Sequence, residues 1–329
     1  MTVPLESVAG GVIDEIAAVI DRSADIGCLA HKDADADSLG SALGFAISMR
    51  LMGHRVHPMA PAPVPRLLSF LPGYDTIENG TPRIDALFTF DCASLARFGE
   101  RRELVESTSE VVNIDHHASS EQFGTINLVD ARASATGHVV YGILQQLDAP
   151  ITPDVATNLY AALFTDTGGF RHENTTEEAL RLGADLVQQG ADPGWVALKT
   201  YKSRSVPRMR LEALAVARLR SDLDGRLIWS EVTQSMLAEA GTTMDESEGV
   251  IDQLQSVDTM EVAVLFKENS ANETKISVRT RHPYDATDVC RPFGGGGHHR
   301  AAGAELRLPL DAAREKVLPV AIELLQRPA

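Results

Sequence analysis

Three short apolar runs, residues 26–30, 86–90 and 110–114, each stop directly on acidic or histidine residues, and helical patterns fill the chain between them. Strands separated by helices need crossover connections, so the alternation specifies an α/β fold: a parallel sheet with helices on both faces. Residues 37–52 place Leu39, Leu43, Ala46 and Ile47 on one helical face and stop at Gly53. Residues 134–147 carry Val140, Ile143, Leu144 and Leu147 in the same way, and Pro153 is a favoured first residue for a helix over 153–164. Thr175 with Glu178 has the spacing of a capping box for a further helix ending near Gly190.

Beyond this 1–190 unit, residues 191–220 read as a helical linker carrying Lys199, Lys202, Arg204, Arg208 and Arg210. The turn Asp224-Gly225 opens a second stretch with strands expected at 227–232, 261–266 and 275–280, a helix near 247–255 and a terminal helix over 310–325. The expected organisation is a parallel-sheet domain over 1–190 and a smaller α/β domain over 221–329, with a substrate cleft between them. The proline-rich stretch 58–65 reads as a surface connection within the first domain.

A parallel sheet presents the carboxyl ends of its strands along one edge, where ligands bind. His31, Asp33, Asp35 and Asp37 follow the first expected strand, Asp91 the second, and Asp115, His116 and His117 the third. Asp166 closes the 153–164 helix in the run Asp166-Thr-Gly-Gly. Taken singly, each cluster has an ordinary explanation as a turn, a cap or a solvated face. In this order, at neighbouring strand ends, that explanation fails. Like charges so placed oppose one another's ionisation, so either several carboxyls are protonated or cations hold them together. Asp166 sits at the negative end of a helix macrodipole, a poor place for an anion unless a cation compensates. Carboxylate and imidazole donors without thiolates suit two Mn²⁺, with Mg²⁺ or Co²⁺ as alternatives. Two such ions about 3.5–4 Å apart share a hydroxide that attacks phosphorus in line.

Charge limits the substrate. Forty-six acidic against 30 basic side chains leave a net charge of −16, whereas affinity for long nucleic acid comes largely from basic side chains that release counterions. A nucleotide substrate would therefore be small. Three scattered cysteines form no CxxC pair, which fits a reducing compartment. Residues 1–10 lack the basic stretch of a signal peptide, Asp14, Glu15 and Asp21 break the apolar run that follows, and no run approaches the ~20 residues of a membrane span. A cytoplasmic protein without a membrane anchor is expected.

The glycines Gly294, Gly295, Gly296 and Gly297 precede His298, His299 and Arg300, in the most basic stretch of the second domain, with Arg279, Arg281 and Arg291 nearby. Glycines allow backbone N–H groups to close on an anion as a nest. Arg279 and His298 are the leading phosphate contacts, with Gly295, Gly296, Gly297 and His299 beside them. Arg171, and Ser134 and Thr136 at a helix start, are secondary candidates.

The order His-x-x-x-Asp-x-Asp, Asp, Asp-His-His, Asp resembles the DHH phosphoesterase superfamily, which includes RecJ-type exonucleases and family II pyrophosphatases. The run from Arg291 to Gly303 resembles the glycine-rich motif of the DHH-associated C-terminal domain. The pairing most resembles the stand-alone nano-RNase (oligoribonuclease) and 3′-phosphoadenosine 5′-phosphate (pAp) phosphatase type, and it covers nearly the whole chain. The resemblance implies that His31 and Asp35 hold one metal and Asp37 and His116 the other, with Asp91 bridging and Asp166 completing the set. It implies that His117 contacts the substrate phosphate and Asp115 orients a histidine. Three aspartates at alternate positions allow two registers; Ser38-Leu39-Gly40-Ser41 selects the one that leaves Asp33 accessory. The implied substrates are short RNA oligomers, pAp, and linear or cyclic dinucleotides, and a homodimer is admitted as an assembly. The alternatives are a cyclic-dinucleotide phosphodiesterase, an inorganic pyrophosphatase or polyphosphatase, and a catalytically silent nucleotide-binding regulator.

Overall fold

A computed structural model describes residues 10–247 and 249–326; the reading of residues 1–9, and Glu248 in the helix expected near 247–255, lie outside the described residues. The chain divides into two compact units, Met1–Ser203 and Arg204–Ala329.

The first unit runs α1 (Gly10–Arg22), β1 (Asp25–Leu29), α2 (Ala36–Leu51), β2 (Arg55–Met59), β3 (Ala86–Phe90), α3 (Arg102–Ser107), β4 (Val111–Asp115), β5 (Ile126–Val129), α4 (Thr136–Gln146), α5 (Pro153–Asp166), α6 (Glu177–Gln188) and α7 (Pro193–Ala197). Ile13, Ile16, Val19 and Ile20 bury one face of α1 and leave Asp14, Glu15 and Asp21 in water, as an amphipathic helix requires. The five strands are parallel in the order β2-β1-β3-β4-β5. Successive side chains alternate between faces. Ala86, Phe88 and Phe90 of β3 enter the main core, where Phe45 of α2 stacks on Phe88 at 4.8 Å. Leu87 joins Leu29, Met59, Phe98 and Val111 on the opposite face, under α3 and the tight turns Leu95–Arg101. The chain reverses direction of travel across the sheet between β1 and β3, and sheets of this order bind ligands at that switch point, beyond the carboxyl ends of the strands. His31 and Asp91 follow those two strands.

Several expectations are corrected. Pro58 lies in β2, not in a surface connection, and as an edge strand β2 tolerates a residue without an N–H. The α6 cap is Thr176, whose side chain accepts from Ala179 N, one residue later than expected. Residues 191–220 are not one helix: α7, a wide π-type turn over Leu198–Lys202 and a second helix divide them.

The second unit runs α8 (Val206–Ala217), β6 (Arg220–Asp222), β7 (Leu227–Val232), α9 (Gln234–Ala240), α10 (Val250–Gln255), β8 (Val262–Ser270), β9 (Glu273–Thr280), α11 (Ala286–Cys290), β10 (Gly296–His298), β11 (Ala301–Leu306) and α12 (Leu310–Gln326). Its six-stranded sheet has the order β10-β11-β9-β8-β7-β6, parallel at β7–β8 and antiparallel elsewhere. Val264, Phe266, Ile276 and Val278 pack on α11 and α12, while Ala263 and Leu265 pack on α8, α9 and α10. Among the described residues no helix is long and apolar enough to cross a membrane.

Candidate metal centre

The turn after β1 buries His31, 1% exposed, with Nδ1 facing Lys32 O at 2.8 Å. A carbonyl only accepts, so Nδ1 carries the proton and Nε2 is left with a lone pair. That lone pair faces Asp91 Oδ2 at 3.3 Å and Asp35 Oδ2 at 3.8 Å. Asp35 caps α2, its Oδ1 accepting from Ser38 N at 2.9 Å. In the first turn of α2, Asp37 is buried. Its carboxylate accepts from the first N–H groups of α4, Thr136 N at 2.8 Å and Gly137 N at 2.9 Å, and from Ser41 Oγ at 3.2 Å. Helix α2 also lies close against α5 because position 40 is glycine: a Cβ there would stand 2.6 Å from Asn158 O.

Asp91 directly follows β3 with φ at +60°, a left-handed conformation that aspartate tolerates better than most residues and that is frequent at functional sites. Its Oδ1 accepts from Thr136 Oγ1 at 2.9 Å. His116 follows β4 and repeats the logic of His31. Nδ1 donates to Ala133 O at 3.1 Å, and Nε2 faces Asp91 Oδ1 at 3.5 Å, Asp37 Oδ2 at 3.7 Å and Asp166 Oδ2 at 3.7 Å. The structure therefore gathers two donor groups around Asp91. Oδ2 lies against His31, whose Nε2 also faces Asp35, and Oδ1 lies against His116, whose Nε2 also faces Asp37 and Asp166.

Separations of 3.3–3.8 Å between these atoms are long for hydrogen bonds, but they suit neighbours in one coordination shell. Ligands about 2.1 Å from an octahedral divalent ion stand about 3 Å apart. The oxygen and imidazole donors fit a divalent cation, as the charge distribution also argues. Burial and neighbouring Asp91 push the Asp37 carboxyl well up, and burial pushes Asp166 up to about 6. Burial would raise Asp91 too, but the surrounding imidazoles of His31, His117 and His116 outweigh it and hold that carboxyl well below the usual range. The His116 imidazole rises to about 9 against its own burial, because Asp166, Asp91 and Asp37 surround it. Protons gather there for the reason that cations would.

A third group, Asp91, Asp115 and His117, also has donor atoms within 4.8 Å of one another. Here His117 Nδ1 is already engaged by Asp115 Oδ1 at 2.7 Å, and the same oxygen accepts from His116 N and His117 N at 2.8 and 3.2 Å. Asp115 thus fixes the whole Asp-His-His turn. Asp33 is exposed and belongs to none of these groups.

Sequence reasoning missed Arg97. Six residues past Asp91, it turns back so that Nη2 lies 2.9 Å from His31 Nε2, while its carbonyl accepts from Lys32 N at 2.6 Å. His172 packs on Gly168 and places Nδ1 3.3 Å from Asp166 O. Ser134 and Thr136 have their protons engaged within the protein, Ser134 Oγ by Asn174 O at 2.6 Å and Thr136 Oγ1 by Asp91. Arg171 lies on the loop after Asp166.

In the second unit the glycine run is not an open loop, because Gly296–His298 is the edge strand β10 paired with β11. Gly295 N donates to Cys290 O at 3.0 Å, and a Cβ at 295 or 297 would lie 2.2 or 2.4 Å from the carbonyl oxygens of Gly303 or Ala301. Close backbone approach is thus itself a reason for these glycines. Register places His298 opposite Ala301 and Ala301 opposite Arg279, so both basic side chains share one face with a small residue between them. His299 pairs with Asp285 at 2.6 Å, Arg291 with Asp288 at 3.2 Å, and Arg281 and Arg300 donate to backbone carbonyls.

Residues 25–163 match the DHH family, N-terminal domain, and residues 224–327 the DHHA1 domain. The bifunctional oligoribonuclease and PAP phosphatase NrnA of Thermus thermophilus is 30% identical over 301 residues, 90% of this chain and 89% of that protein. The chain belongs to the DHH family. The protein of the same description from Bacillus subtilis is 24% identical over 84% of this chain and 87% of its own length. An exopolyphosphatase-related protein from Bacteroides fragilis superposes with a TM-score of 0.87 at 22% identity, over 98% of this chain and 97% of that one, and so shares the DHH-family fold.

Proposed function

We propose that this chain is a metal-dependent phosphoesterase that hydrolyses short oligoribonucleotides and pAp to mononucleotides. The observation that carries the reading is Asp91, one carboxylate whose two oxygens face two separate donor groups. In this reading His31 and Asp35 hold one divalent ion, Asp37, His116 and Asp166 hold another, and Asp91 bridges. Two Mn²⁺, with Mg²⁺ or Co²⁺ as alternatives, would supply a hydroxide nucleophile at neutral pH and polarise the phosphoryl oxygens. His117, whose imidazole pKa the Asp115 hydrogen bond and the Asp91 charge raise against its burial, is placed to donate to the substrate phosphate. Arg97 offers a guanidinium to the same charge. The Arg279–His298 face of the second unit is suited to holding a phosphate. The T. thermophilus and B. subtilis relatives bear the name of this activity. We place the protein in the cytoplasm, where its three buried free thiols would stay reduced.

Two outcomes follow. His116→Ala is expected to lose bound metal on dialysis, whereas His117→Ala keeps it and loses about 10²–10³-fold in turnover. Equal metal loss in both variants would reject this division of roles. A manganese-supplemented assay across pAp, RNAs of two to five nucleotides, a long RNA, cyclic dinucleotides and pyrophosphate tests the function itself. The pAp and short RNAs should be cleaved fastest, with rate falling as length grows, because the acidic surface offers no track for a longer backbone. Fastest turnover of cyclic dinucleotides, pyrophosphate or the long strand would move the protein to one of those classes, and no turnover at all would make it a silent binder.

A further inference from the structure

The loop beyond Asp166 is built more rigidly than the metal centre needs. Gly168, Gly169 and Phe170 take successive φ values of 60°, 72° and 61°. For Phe170 this backbone costs about 1–2 kcal/mol and persists only where the surroundings impose it. Here they do: Phe170 is packed edge-on against Tyr160 and Phe164, at ring separations of 6.2 and 5.8 Å. The same turn seats Gly169 under Tyr201, where a Cβ would stand 3.3 Å from both the Tyr201 and Phe164 rings. Tyr201 comes from the π-type turn Leu198–Lys202, a local irregularity frequent at functional sites, and its ring lies 5.5 Å from Phe164.

Arg171 lies over this cluster. Its guanidinium carbon is 5.1 Å from the Tyr201 ring centre, and Nε donates to Gly168 O at 2.5 Å. The side chain is exposed, yet among the described residues it makes no ion pair in a chain with 46 acidic residues. The loop is tied to the centre by Asn174, whose Nδ2 lies 3.3 Å from both Asp166 O and Asp166 Oδ2.

We infer that Arg171, backed by Tyr201, is a stacking platform for a nucleobase of the substrate. The inference rests on the phosphoesterase reading of the metal centre and adds to it the group recognised beside the phosphate. A guanidinium fixed along one edge and covered on one face presents its other face, and bases stack on arginine planes as they do on aromatic rings. The Nε edge, one arm of the fork that grips phosphate, is already engaged by Gly168 O. Every base has a flat face, so such a platform tolerates mixed sequences, as an enzyme clearing short RNA requires.

The test compares a dinucleotide with its two singly abasic forms, using wild type, Arg171→Lys, Tyr201→Leu and Tyr201→Phe in manganese buffer. Arg171→Lys keeps the charge and loses the plane, and Tyr201→Phe keeps the ring. The preference in kcat/KM for the intact dinucleotide over one abasic form should fall about 10- to 100-fold in Arg171→Lys and Tyr201→Leu. The loss should appear mainly in KM, and Tyr201→Phe should hold the wild-type ratio. An unchanged ratio in Arg171→Lys, or an equal loss on all three substrates, overturns the platform while leaving the phosphoesterase standing. Absence of turnover by wild type on every substrate removes both.

Discussion

Asp91→Asn is expected to lower turnover of pAp and dinucleotides by more than about 10³-fold, even in excess manganese. The substitution keeps the shape of the side chain and leaves an oxygen that can accept from Thr136 Oγ1, so a fold defect is not the expected cause. It removes the charge that both donor groups share, with three imidazoles, His31, His116 and His117, left facing a neutral amide. Metal bound after dialysis should fall with activity. Near-normal turnover by a dialysed and manganese-restored variant would refute a bridging carboxylate.

Stripping the metal should soften the first unit. Asp37 and Asp91 are buried with half-buried Asp166 around one imidazole, and an ion bound to the folded chain alone stabilises it by mass action. At a free concentration about a thousand times Kd the effect is about 4 kcal/mol, which for a unit of this size moves the melting temperature by roughly 10 °C. A thermal melt in chelator, repeated after adding manganese, should show the loss and its recovery. Identical melts would mean that the carboxylates are reconciled by protons alone.

The candidate metal centre was legible because most of its residues follow strands that the sequence marks plainly. Buried runs such as Ala86–Phe90 and Val111–Asp115 have too few alternative conformations to hide the edge on which Asp91 and Asp115 must emerge. β2 was obscured by Pro58, which argues against a strand everywhere except at an edge, and β5 by partial burial of all its residues but Leu128. Thr175 and Thr176 offer the same hydroxyl, and only the backbone path decides which one caps α6. The contact from Arg97 to His31 spans 66 residues and leaves no periodicity or spacing to read. The glycine run was ambiguous for a different reason: an anion nest and a tight antiparallel pairing both exclude side chains, so composition does not separate them.

Main-chain atoms help to aim four residues of the centre. Lys32 O and Ala133 O fix the two imidazoles, and Ser38 N, Thr136 N and Gly137 N hold the two α2 carboxylates. Every residue has a carbonyl, and every residue but proline an amide hydrogen, so this wiring does not depend on which side chains occupy those positions. Neighbouring residues can be exchanged over time without turning a ligand aside, provided the backbone keeps its course. The burden of inheritance then falls on the few places where the course itself is forced, such as Gly40, where any added carbon would push α2 away from α5 and part Asp37 from Asp166.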